Sequence, residues 1–85
     1  MDHIYSQHAI NQLKKRNISV DLINDAIKKP DHISIEDGIT VISKIIEIET
    51  KLYLLRIFMN QSILPNVVIT AYITSKIEKY YESNL

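Results

Sequence analysis

The amino-acid sequence predicts an α+β fold, with two N-terminal helices packed on one face of a four-stranded antiparallel β-sheet and a short C-terminal helix closing the chain. Three observations predict it. Up to Pro30 the apolar residues recur at helical spacing behind serine caps. From His32 onward they crowd into β-branched and aromatic runs separated by turn residues. The 85 residues, 46% hydrophobic and 24% charged, suit one domain, 1–85, and leave no room for a second.

The first helix is expected from about Ser6 to Arg16. Ser6 can cap it, Ala9, Ile10 and Leu13 share one arc, and His8, Gln12 and Lys15 form a separate polar stripe. Asn17 tolerates the left-handed conformation that a helix exit often needs. Ser19 caps a second helix in which Val20, Ile23, Ala26 and Ile27 fall on one side. Its Asp21 in the first turn and Lys28 and Lys29 in the last complement the macrodipole, and Pro30 ends it.

Four strands follow: HISIE, ITVISKIIEIE, KLYLLRIFM and NVVITAYIT. Asp37-Gly38 is a strong two-residue hairpin signal, Glu49-Thr50 a weak one, and residues 60–66 form a longer polar loop containing Pro65. Alternation places Leu55, Ile57 and Met59, with Val67, Ile69, Ala71 and Ile73, on an apolar face for the helices. It leaves Arg56, Thr70 and Tyr72, joined by Lys44, on a mixed outer face where a shallow site could form. In the tail, Ser75 and Glu78 form a capping box for the last helix.

Composition excludes several functions. Ten basic and ten acidic side chains give a formal net charge of zero, which argues against coating nucleic acid by bulk electrostatics and makes any such site local. A single glycine excludes Gly-rich phosphate loops. The absence of cysteine removes disulfides and thiolate metal sites, and suits a reducing interior. The three histidines lack metal-site spacing, so neither a metal nor another cofactor is expected. No apolar run reaches the ~18 residues of a membrane span, and MDHIYSQH lacks the features of a secretory signal, so a cytoplasmic protein without a membrane partner is expected.

What remains is acid–base chemistry without a metal. His8 is of the residue type whose ordinary titration lies nearest neutrality, and Arg56, Lys44, Lys76 and Lys79 could hold an anion. Metal-free cleavage of RNA needs a base for the 2′-hydroxyl, an acid for the leaving oxygen and cations around the transition state.

Two segments carry a family resemblance. YSQHAINQLKKRNISVDLINDAIKKPDHI resembles the opening, and VVITAYITSKIEKYY the ending, of a family of small bacterial and archaeal domains of unknown function. That family is related to the RelE-like and barnase-like (BECR fold) toxin ribonucleases. Its pattern is aromatic-Ser-x-His-Ala, an arginine at the helix end, a Gly-Ile-Ser break and Pro-Asp, then Thr, Tyr, Ser-Lys and Lys-Tyr. The two matches cover about half the chain. A second helix-one arginine of the family is Gln12 here, and its glycine at the break is Asn17. The resemblance implies a toxin of a toxin–antitoxin system, a metal-independent endoribonuclease acting by 2′-OH transesterification. On the family's pattern His8 and Tyr72 would be catalytic and Arg16, Thr70, Lys76, Lys79 and Tyr80 would bind substrate; the mixed outer face adds Arg56 to the catalytic set and Lys44 to the binding set. The implied partners are RNA, including mRNA on the ribosome, and a cognate antitoxin or a second copy covering an unpaired strand edge. The alternative is a non-catalytic domain on the same fold that binds a protein or RNA; balanced charge and a tyrosine-rich tail favour it.

Overall fold

The computed structural model describes residues 3–81, with the side chain of Tyr81 excepted. The element order is β1 (His3–Tyr5), α1 (Gln7–Lys15), α2 (Val20–Lys28), β2 (His32–Glu36), β3 (Ile39–Ile48), β4 (Lys51–Asn60), β5 (Asn66–Thr74) and α3 (Ile77–Tyr81). The α+β class stands, but the expected four antiparallel strands become five in a mixed sheet ordered β1-β5-β4-β3-β2. The added strand, β1, runs parallel to β5 and pairs His3–Tyr5 with residues 66–68. Three residues are too few for alternation to reveal a strand, and only the partner strand makes one of them.

The helices form as their caps dictate. Ser6 Oγ accepts from Ala9 N at 3.0 Å and Ser19 Oγ from Leu22 N at 3.1 Å, each satisfying an orphan N–H of the first turn. Asn17 leaves α1 with φ 55°, the left-handed exit that an asparagine tolerates. The last helix begins at Ile77, one residue later than a Ser75 cap implies. Among the described residues no helix is long and apolar enough to cross a membrane.

Ala9 and Leu13 of α1 and Ile23, Ala26 and Ile27 of α2 bury against Ile42, Leu55, Ile57, Met59, Val68 and Ala71 of the sheet. Val68 departs from the expected alternation. Phe58 pairs with Thr70 but Met59 pairs with Val68, so Ile69 is an extra residue in a β-bulge that reverses the parity of β5. Val68 therefore turns inward with Ala71, and the expected Val67/Ile69 stripe is broken. Nothing in NVVITAYIT marks the bulge, because it contains neither glycine nor proline. Beyond the bulge β1 no longer pairs with β5, and α1 takes over: Ser6 Oγ donates to Ile69 O at 3.4 Å and Arg16 Nη1 to Ala71 O at 2.8 Å.

Both tight hairpins use left-handed residues. Asp37 and Gly38 have φ 52° and 79°, and Glu49 and Thr50 have φ 50° and 67°. Positive φ at both central positions is the type I′ geometry that matches strand twist. A β-branched residue there is strained. Thr50→Gly is expected to stabilise the protein by ~1 kcal/mol, a rise of roughly 4–8 °C in Tm for a domain of this size, measurable by thermal unfolding.

Candidate functional site

An arginine within an apolar strand has to find compensation for its charge, and Arg56 organises the sheet face opposite α1 and α2. It is only 5% exposed. Its Nη2 donates to Glu36 Oε2 at 2.5 Å, and its Nη1 donates to the Tyr72 hydroxyl at 2.7 Å. The guanidinium carbon lies 4.1 Å from the centre of the Tyr80 ring, 5.3 Å from Phe58 and 5.8 Å from Tyr72, so the cation is walled by aromatic rings. Strands β2, β4 and β5 and helix α3 each supply a member. Val41, on the same face of the intervening β3, is fully buried. The expected outer face is thus partly roofed by α3, with Leu54 and Ser43 buried on it as well.

The hydrogen bonds have a direction. Because the Tyr72 oxygen accepts from Arg56, its own proton is available to Tyr80. Burial pushes the Tyr72 phenol above its ordinary value of 10.0, against the opposing pull of the Arg56 hydrogen bond. Tyr80 moves the other way: the hydrogen bond from Tyr72, and then the bond and charge of Lys79, lower it below 10.0. The pair therefore contains one reluctant and one acidified phenol. Among the described residues Arg56 Nε is buried without an acceptor, a cost of about 1–3 kcal/mol.

Arg56, Tyr72 and Tyr80 come together as a group. Arg16 reaches round the edge of β5 to Thr70 Oγ1 at 3.3 Å, on the face that carries Tyr72. Lys76 and Lys79 are exposed beside α3, with Lys79 Nζ 5.2 Å from the Tyr80 ring centre.

Two residues lie elsewhere. Lys44 is not on this face: it pairs with Leu55, which points to the helices, and its Nζ donates to Lys29 O at 2.8 Å. It closes the C-terminus of α2, where a cation meets unsatisfied carbonyls. His8 is exposed and, among the described residues, makes no hydrogen bond, ion pair or ring contact. Among the described residues no contact joins it to Arg56, Thr70 or Tyr72.

Glu36 is the member that sequence reasoning missed. A usable signal existed, since a buried arginine demands a carboxylate, but six acidic residues precede β4 within the second half of α2 and β2–β3 and the turns between them, and only the folded sheet selects among them. A second missed feature is a groove of about 970 Å³ between β1 and α2, lined by His3, Tyr5, Asn24, Lys28 and Pro65 among others. There Asn24 Oδ1 accepts from the Tyr5 hydroxyl at 2.6 Å and lies 2.9 Å from His3 Nε2. Burial, and secondarily Asp21, raise the Tyr5 phenol. Among the described residues no cluster of three or more His, Cys, Asp or Glu side chains could hold a metal.

Two outcomes test this description. Glu36→Gln strands a buried guanidinium; since the Glu36 side chain is 48% exposed and its charge is partly screened, the expected loss is about 1–3 kcal/mol in urea unfolding. Adding Arg56→Met to that variant restores stability to within about 1 kcal/mol of wild type, because an apolar side chain of similar length needs no partner.

Tyrosinate absorbance provides the other test. The Tyr80 phenol ionises below 10.0, and its signal is lost in Tyr80→Phe, while Tyr5 and Tyr72 ionise above it. The two raised phenols contribute stability fully present below pH 10 and lost as pH rises through their folded values. The depressed Tyr80 contributes stability above pH 10 that is lost as pH falls through its folded value.

No family model matches this chain, and neither a curated protein nor a solved structure matches it.

Proposed function

We propose that the Arg56 face is the active site of a small metal-independent endoribonuclease, a toxin of a toxin–antitoxin system with a RelE/barnase-like fold. The observation that carries this reading is the directed array Arg56–Tyr72–Tyr80 beside the Glu36 carboxylate. A carboxylate and an acidified phenol at one cationic centre are the acid and base that transesterification of RNA requires. Glu36 takes the proton of the 2′-hydroxyl as its oxygen attacks phosphorus. Tyr80 delivers a proton to the departing 5′-oxygen, and a 2′,3′-cyclic phosphate and a 5′-hydroxyl result. Arg56 is too deeply buried to clamp the phosphate; it orients Glu36 and Tyr72 and supplies positive potential. Arg16, Lys76 and Lys79 are the cations exposed to the substrate backbone, and Thr70 positions Arg16. His8 has no part in the step. The resemblance of both chain ends to the toxin-related family supports the same reading, with mRNA as substrate and an antitoxin as partner.

The match of the Arg56 charge by Glu36, with a net charge of zero, favours a second reading: a non-catalytic domain that binds a protein or RNA through this face.

Incubation of the purified protein with RNA in EDTA separates the two. The nuclease reading expects cyclic-phosphate ends, a loss of about 10²–10⁴-fold in rate for Glu36→Gln and for Tyr80→Phe, and no loss for His8→Ala. Cutting by wild type no faster than by Glu36→Gln sinks it. Salt-sensitive RNA affinity without products would leave the binding domain.

A further inference from the structure

The two edges of the sheet are treated differently. The β1/β5 edge is guarded by Ser6 and Arg16, whose side chains take up the Ile69 and Ala71 carbonyls. The β2 edge has no such cover among the described residues, and no lysine or proline lies within His32–Glu36 to repel another strand. Its backbone polarity follows from the turn. The two-residue type I′ turn at Asp37-Gly38 closes on Glu36 and Ile39, which makes that a hydrogen-bonded pair. Counting back in twos, Ser34–Val41 and His32–Ser43 are also hydrogen-bonded pairs, so Ile33 and Ile35 direct their N–H and C=O groups outward. Those same isoleucines are 55% and 74% exposed on the helix side of the sheet.

The segment HISIE is self-complementary about its middle residue. We propose that β2 pairs antiparallel with β2 of a second copy of this chain, with a twofold axis between the two Ser34 residues, giving one ten-stranded sheet. In this register Ile33 of each copy faces Ile35 of the other as a hydrogen-bonded pair, and four main-chain bonds satisfy every outward group of the two isoleucines. The four exposed isoleucine side chains form one apolar strip. On the opposite face His32 of one copy lies across from Glu36 of the other. Asp31 and Asp37 would also come opposite each other, but the Asp31 carboxylate turns back to accept from Ile45 N at 2.8 Å, away from the edge. Two five-residue strands bury less than the roughly 1,200 Å² of a standard interface, so the association is weak, with Kd on the order of micromolar or above. The dimer does not depend on the ribonuclease reading.

The chain contains no cysteine, so a single introduced thiol reports the register. Directly opposite residues in a non-hydrogen-bonded pair have Cα atoms about 4.5 Å apart, within disulfide range. Ser34→Cys, oxidised by diamide, which takes up the two electrons and two protons of the thiols, is expected to form a covalent dimer roughly tenfold or more faster than Ser62→Cys in the exposed β4–β5 loop. Sedimentation of the unmodified chain should show concentration-dependent dimers that Ile35→Lys removes without changing its thermal unfolding. Cross-linking of Ser34→Cys no faster than Ser62→Cys, or dimers that survive in Ile35→Lys, would overturn the proposal.

Discussion

The Arg56 guanidinium sits beneath an aromatic roof, on a strand whose other residues are almost all apolar, and the face around it is arranged to accommodate one charge. An unpaired ion there would cost several kcal/mol. Glu36 supplies a counter-charge, Tyr72 an acceptor and Tyr80 a π-face. Because these come from β2, β5 and α3, the same interaction that makes the arginine tolerable also holds the C-terminal helix to the sheet and ties a strand near one edge to the far side of β4. The charge adds little net stability for the desolvation it incurs. What it adds is specification of which groups meet, a role well suited to a site.

Opposite this face, the apolar layer beneath α1 and α2 follows ordinary rules, yet one irregularity links the two sides. The bulge at Ile69 reverses β5, so that Val68 and Ala71 both point into the helical layer while Thr70 and Tyr72 remain together on the other face. Beyond it α1 lies along the vacated edge and spends its terminal polar groups on β5 carbonyls. Arg16 thus has a structural bond to Ala71 and a contact with Thr70 at the rim of the Arg56 face. One residue serves the edge and borders the site.

The phenol pair has consequences for chemistry that a lone histidine would not. Tyr72 and Tyr80 divide the ionisation between them because Arg56 fixes the direction of the first hydrogen bond. The group that gains acidity is the half-buried phenol beside Lys79. Placement of acid, carboxylate and cation is therefore set by tertiary contact and not by any one residue's intrinsic pKa.

Much of this was legible in the letters. Serine caps, Asn17, Pro30, Asp37-Gly38 and the runs of β-branched residues determined α1, α2 and four of the five strands, because each is a local preference of the chain over a few residues. Arg56, Tyr72 and Thr70 were legible as companions because they share alternation parity on neighbouring strands. The parallel strand β1, the bulge at Ile69, the loss of Lys44 to α2 and the choice of Glu36 were decided only in the folded molecule. Each depends on register between segments far apart in sequence, and a shift of one residue moves a side chain to the opposite face while leaving local composition unchanged. His8 belongs to the same class: a residue type matching a known pattern says what chemistry is available, and only the packing of α1 against β5 determines what that imidazole can reach.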